Sequence, residues 1–345
     1  MAPGIRGLDW RDEAASTLFV RHLPALKIDG PVLLVGDRLP DVAERLSSRG
    51  FDVTEWRRRA FHGKPASAWP PAGPFGTVAV RLPRSKEELS MVLHAGARAL
   101  KPGGTALVYG AKDEGIGSVH RVLDELHENI EVVGVGGHCR LLRAGVKPNL
   151  PGLRGSLEDW REEVLLGHNA LKEPWVSYPG VFAHGRLDPG TRLLLHALPD
   201  LGVRASVLDY GCGSGVVGAA VRSSHPQVRL TLLDIDAVAL EAAAENVPGA
   251  EYLLRDGLPD GGPERYDAIF SNPPFHEGKR EEPAMILQLV RGAPGLLLPN
   301  GRLVLVAQKR LPLEEAFTGA FRTVTIPSEG GGFRVWEGRN PRSSA

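Results

Sequence analysis

A chain of 345 residues is long enough for two domains of ordinary size, each burying its own core. Lysine plus arginine and aspartate plus glutamate number 41 each, so no overall basic field announces a polyanionic partner. Two cysteines, Cys139 and Cys212, exclude a disulfide framework and a four-cysteine zinc site, and no apolar run approaches the roughly 18 to 20 residues of a membrane span. The expected setting is reducing and cytoplasmic, with neither membrane nor metal.

The first 30 residues read as a helical start, with Leu8, Trp10, Leu18, Phe19 and Leu23 as candidate buried positions. Pro31-Val32-Leu33-Leu34-Val35 reads as a parallel core strand that turns at Gly36-Asp37 and leads to a helix through Val42 to Leu46. The basic run from Arg57 to Lys64 is expected on a solvated face, with RNA contact as the alternative. Phe75 to Arg84 then finds an echo in Tyr266 to Phe275. The segments that follow agree too: a helical stretch to Leu100-Lys101-Pro102-Gly103 in one, and another to Leu298-Pro299-Asn300-Gly301 in the other. Two α/β units of one plan therefore stand in tandem, doubly wound and Rossmann-like. Residues 144 to 156, rich in glycine and proline without periodicity, set the boundary, giving domains 1–150 and 151–345. Further on, Asp188 is a good N-cap with Pro189 at the first helical position.

The second copy carries the chemistry. Val207-Leu208-Asp209 runs into Tyr210-Gly211-Cys212-Gly213-Ser214-Gly215, an apolar strand closed by an acid and three alternating glycines. A second strand ends at Asp234, where a doubly wound sheet presents a carboxylate to a ribose. Gly213 to Gly218 also satisfies the dinucleotide pattern, so a nicotinamide cofactor stays open on spacing alone. Asp209, placed to reach a positively charged methionine moiety, and Asp256, placed to accept from an adenine amino group, favour S-adenosylmethionine. The first copy has only Gly36 where the second has three glycines, and Arg81 and Arg84 where the second has Asn272 and Phe275. It reads as degenerate, its arginines expected to meet RNA phosphate.

Asn272-Pro273-Pro274-Phe275 is the specific signal. An exocyclic amino nitrogen is a poor nucleophile while its lone pair is delocalised into a ring, so a methyltransferase holds its protons with acceptors. The Asn272 side-chain oxygen and the Pro273 carbonyl can supply them, and Phe275 offers a flat face for the base. On this reading Asn272 serves the base and not the core. His184 and His276 flank the motif and are read as structural. Adenine N6, a protein glutamine amide and guanine N2 all present such an amino group. A non-catalytic RNA-binding assembly factor is the reading of a different class.

Tyr178-Pro179-Gly180-Val181-Phe182, Leu187-Asp188, the Asp209 to Gly215 turn, Asn272 to Gly278 and Gly332-Phe333-Arg334-Val335 together resemble the bacterial rRNA guanine-N2 methyltransferases, best the small-subunit (16S) enzyme and its close large-subunit relative. The resemblance covers nearly the whole chain and is strong from Pro179 to Val335. It implies a degenerate first domain before a catalytic one. It further implies cofactor binding by Asp209, Gly211, Gly213, Asp234 and Asp256, and guanine held by Asn272, Pro273 and Phe275. Gly215 and Phe182 complete the expected cofactor set. The expected partner is ribosomal RNA or a ribosomal subunit, met by a monomer.

Overall fold

A computed structural model of the chain describes residues 10–61, 63–198, 205–259, 265–273 and 282–342. The chain divides into two compact units, Met1–Arg161 and Glu162–Ala345. The break falls after the loop that suggested a boundary, because the second half of that loop and the residues just after it still pack on the first unit. Leu150 and Leu153 lie against its core, the Arg154 amide donates to His94 Nδ1 at 3.0 Å, and the His94 ring meets Trp160 edge-on.

In the first unit, helix α1 (Trp10–His22) precedes β1 (Val32–Val35), α2 (Asp41–Ser47), β2 (Val53–Trp56) and β3 (Phe75–Arg81). Then come α3 (Lys86–Ala99), β4 (Leu100–Ala111), α4 (His120–Leu126), β5 (His127–Gly136) and β6 (Cys139–Val146). The sheet runs β2-β1-β3-β4-β6-β5, parallel as far as β4 and antiparallel beyond it. All four residues of β1 and all seven of β3 are buried, as strands covered on both faces require. Leu18, Phe19 and Leu23 are buried as expected, whereas Trp10 is exposed at the start of α1 and Leu8 lies outside the described residues.

The second unit opens with a small antiparallel pair, β7 (Glu162–Val164) and β8 (Trp175–Ser177), followed by α5 (Pro189–Ala197). Next are β9 (Ser206–Tyr210), α6 (Val216–Ser224), β10 (Arg229–Asp234), α7 (Ala237–Asn246), β11 (Glu251–Leu254) and β12 (Tyr266–Ser271). It closes with α8 (Glu282–Gly292), β13 (Leu297–Gln308), α9 (Glu314–Ala320), β14 (Phe321–Gly330) and β15 (Phe333–Pro341). The sheet order is β11-β10-β9-β12-β13-β15-β14. Removing β11 leaves the order of the first unit strand for strand.

The registers agree as well. Val32 pairs with Thr77 and Val207 with Ala268, so β1 matches β9 and β3 matches β12, which sets Arg81 at the position of Asn272 and Asp37 at that of Cys212. Both units even shift register at the same place, between Phe75 and Thr77 and between Tyr266 and Ala268. The duplication is thus preserved down to a bulge.

What the first unit does with that position corrects an expectation. Arg81 does not reach out for phosphate: it is buried, with Nη2 at 2.7 Å from Glu114 and 3.0 Å from Asp12 of α1. Beside it the buried Asp37 carboxylate accepts from the Tyr109 hydroxyl, the Ser16 hydroxyl and the Leu39 amide. Burial pushes the Asp37 carboxyl up from its ordinary value. The basic run is engaged in the same way. Arg57 donates to the Asp37 carbonyl and pairs with Glu55, and Arg59 forms a two-pronged pair with Glu88 at 2.7 and 2.9 Å. Arg57 and Arg58 are buried, so neither the solvated face nor the RNA surface expected of them is found, and His62 lies outside the described residues. A buried charge is tolerated only when paired, and the partners come from segments far apart in the chain.

Arg81→Ala removes the cation nearest to Asp12 and Glu114. The expected cost is about 3–5 kcal/mol, against less than about 1 kcal/mol for the exposed Arg84→Ala, read from urea denaturation curves.

Candidate active site

The tip of β12 meets the start of α5. Asp188 caps that helix, its Oδ2 accepting from the Thr191 amide at 3.0 Å, with Pro189 at the first helical position as the sequence suggested. The same Oδ2 accepts from Asn272 Nδ2 at 3.0 Å, and the Thr191 hydroxyl accepts from that nitrogen at 2.7 Å. A carboxylate cannot donate, so the Asn272 NH2 must face Asp188 and its carbonyl oxygen must face away. That Oδ1 is buried and accepts no hydrogen bond from the described residues. Asn272 is only 8% exposed, so it belongs to the core as well as to the site, contrary to the sequence reading.

A pocket opens beside it, lined by Asn272, Asp188 and Thr191 on one side, by Gly211, Gly213 and their neighbours on another, and by Phe182. Gly211 and Gly213 have φ of 70° and 54°, and a Cβ built on either meets nothing within 4 Å. They combine a left-handed backbone with open space in front, which is what close approach of a ligand to a main chain needs. Gly215 differs. Its φ is 88° and a Cβ there would come within 2.9 Å of Val247, so it serves the packing of α6 against the residues after α7 and does not line the pocket.

The three carboxylates of the expected cofactor set have separate placements. Asp234 stands at the end of β10, Oδ2 accepting from the Gly213 amide at 2.8 Å and Oδ1 from the Asp236 amide at 2.9 Å. It holds the glycine turn in shape. Asp209 lies behind the turn, buried, with Oδ2 accepting from the Gly218 amide at 2.9 Å and Oδ1 taking no partner from the described residues. Burial raises its pKa to about 7, the Asp234 carboxylate adding to the rise and the Gly218 amide opposing it. Asp256 is exposed two residues beyond β11 and does not line the pocket. Pro273 is buried next to Asn272, and Phe275 and His276 lie outside the described residues.

The remaining wall is a segment whose role the sequence hides. Trp175 donates to Ser214 Oγ at 3.0 Å, and the Asn246 side chain accepts from the Val176 amide and donates to the Val176 and Ser214 carbonyls. Strand β8 is thereby tied to both α7 and the glycine turn. Ser177 Oγ and His184 Nδ1 are 2.8 Å apart, and His184 Nε2 is 3.1 Å from Glu162, which bears out a structural histidine. Thr191 could have been found from its place three residues after a capping aspartate, where both side chains turn to the same end of the helix. Trp175 and Asn246 carry no such signal.

Residues 174–337 match the family described as methyltransferase small domain, and residues 16–162 its N-terminal counterpart. The chain is 38% identical over 280 residues to the ribosomal RNA small subunit methyltransferase C of Pseudomonas paraeruginosa, across 79% of this chain and 81% of that protein. It is 30% identical to the Hahella chejuensis protein of the same name, across 90% and 94%. The chain belongs to the ribosomal RNA small subunit methyltransferase C family. In fold it is similar to a 16S rRNA N2 methyltransferase from T. thermophilus solved with AdoMet and guanosine, at a TM-score of 0.78 and 24% identity, across 98% of this chain and 94% of that one. The tandem Rossmann-like class and the family expected from the motifs both hold. Among the described residues no helix is long and apolar enough to cross a membrane, and no cluster of histidine, cysteine, aspartate or glutamate could hold a metal ion.

Asp209 makes stability depend on pH in a defined direction. Its unfolded pKa is near 4 and its folded value about 7, so between these limits the native state holds the extra proton and stability falls as pH rises. Urea midpoints of the wild type should decline from pH 4.5 to 7.5 relative to those of Asp209→Asn, which removes this proton from the balance.

Proposed function

We propose that the chain transfers a methyl group from S-adenosylmethionine to the exocyclic N2 amino group of a guanine in 16S ribosomal RNA. The observation that carries this reading is the Asn272 side chain, fixed by its NH2 beside the pocket, with an oxygen that takes no partner from the described residues. The relatives' names supply the substrate, and the guanosine bound in the T. thermophilus enzyme supplies the base.

The residues present fit the cofactor. Gly211 and Gly213 leave the main chain open to it, and Asp234, which holds the Gly213 amide, is the carboxylate for the ribose hydroxyls. Asp209 is a buried carboxylate with an unpartnered oxygen, which a nearby cation would favour in its ionised form. Phe182, half exposed on the pocket wall, offers a face to the adenine, and Asp256 would serve its amino group. When bound, the cofactor supplies an electrophilic methyl group on a positively charged sulfur.

The chain's own work is to make the amino group nucleophilic. Asn272 Oδ1 accepts one N–H of guanine N2, and the Pro273 carbonyl accepts the other. Both draw the protons out of the ring plane, so that the lone pair localises on nitrogen. Because Asp188 and Thr191 hold the amide before substrate arrives, no reorganisation is required of the acceptor during the reaction. Phe275 stacks on the base. The first unit is a closed copy of the catalytic one, since Arg81, Asp12 and Glu114 fill the position that Asn272 leaves open. The protein acts as a monomer in the cytoplasm, where ribosomal subunits are assembled.

Tritiated methyl transfer to separately purified ribosomal subunits tests the reading, with 2-methylguanosine in small-subunit rRNA expected as the labelled nucleoside. Label recovered only as methyladenosine, or only in protein, would sink it. Asn272→Ala should lower kcat by at least about 100-fold. It should also lower stability by about 1–3 kcal/mol, because Asp188 and Thr191 lose their donor. Calorimetric titration should find one equivalent of S-adenosylmethionine per chain, and two would mean that the first unit is open.

A further inference from the structure

Helix α5 has two faces. Inward, Asp188 at its cap and Thr191 in its first turn hold Asn272, while Leu194 and Leu195 enter the core. Outward, Arg192 and His196 stand one turn apart, both exposed. His168 joins them from the loop after β7, whose Leu166 and Leu171 share a core with Leu194 and Leu195. The His168 pKa is lowered by burial first and then by the charges of Arg192 and His196, with no carboxylate opposing the shift. Arg186, also exposed, lies two residues before the cap on the pocket wall that carries Asn272.

Among the described residues no hydrogen bond or ion pair engages the side chains of Arg186, Arg192 or His196. Several other cations of this unit are engaged. Arg302 and Arg339 converge on Glu337, Lys309 and Arg334 on Glu329, and Arg222 on the carbonyls of Pro248 and Gly249. Arg192 and His196 thus stand on the outer face of the helix that positions the acceptor with no carboxylate partner among the described residues.

We propose that this outer face of α5, continued by Arg186 to the pocket wall, receives the sugar-phosphate backbone of the rRNA strand that carries the target guanine. The proposal rests on the reading of the site as an rRNA methyltransferase. A guanidinium fork matches phosphate oxygens, and the helix is rigidly coupled to Asn272 through Asp188 and Thr191. A base must leave its stack to enter such a pocket, at an unstacking cost, so backbone contacts are needed close to the point of extrusion. Arg57, Arg59 and Arg81 of the first unit, which suggested an RNA surface, are engaged with Glu55, Glu88, Asp12 and Glu114.

The test uses the full-length double variant Arg192→Ala/His196→Ala, assayed for methyl transfer to small subunits over a range of potassium chloride concentrations. KM for the RNA substrate should rise about ten-fold at moderate salt. The slope of log KM against log salt should flatten by about 0.7 to 0.9 for each phosphate that is no longer neutralised. The cofactor's dissociation constant and kcat at saturating RNA should hold within about two-fold, and Arg192→Lys alone should keep the wild-type slope. A double variant with wild-type KM and wild-type salt slope would overturn the proposal, as would a raised KM with an unchanged slope, which points to an occupant held without phosphates. Absence of transfer to rRNA by the wild type would instead remove the proposed function on which the surface rests.

Discussion

Asp188 is an acceptor with no proton to give, and that constraint orders the whole catalytic unit. Its Oδ2 takes the Thr191 amide and so starts α5, and it takes Asn272 Nδ2 and so fixes which way the amide at the tip of β12 points. One carboxylate oxygen joins helix to sheet and at the same time assigns the free end of the amide to the pocket. Were the aspartate replaced by a group able to donate, the amide could turn over, and the acceptor would be withdrawn while the backbone stayed in place.

The duplication shows what the same scaffold does without that arrangement. The two sheets share strand order and register, including a shift at the same position, and α1 stands against β4, β5 and β6 as α5 stands against β13, β14 and β15. From the equivalent helix, Asp12 points at Arg81 where Asp188 points at Asn272. An arginine needs compensation on more than one side when buried, and Glu114 supplies it, so the cleft closes over a network of paired charges. An asparagine needs only its NH2 satisfied to be anchored, and can leave its oxygen to a ligand. The exchange of arginine for asparagine at this strand tip is one of the changes that separate the filled copy from the open one.

Much of this is legible in the chain because it rests on backbone demands that sequence records directly. Gly211 and Gly213 mark left-handed turns, Asp188-Pro189 marks a helix start, and the echo of Tyr266 to Phe275 in Phe75 to Arg84 marks the repeat. The rest depends on pairings between distant segments. The run from Arg57 to Arg59 looks like a surface until Glu88 and the Asp37 carbonyl come to meet it. Gly215 follows the pattern of its neighbours and yet answers to Val247, and Asn246 clamps β8 from seventy residues away. Asp209 and Asp234, expected as ligand carboxylates, each hold a backbone amide of their own unit.

The most direct measurement of the central claim is a crystal structure of this chain with S-adenosylhomocysteine and guanosine. The expected result is Asn272 Nδ2 still on Asp188 and Thr191, with guanine N2 about 3 Å from Asn272 Oδ1. Guanine bound with its N2 directed elsewhere, or an Asn272 amide turned so that its NH2 faces the pocket, would contradict it.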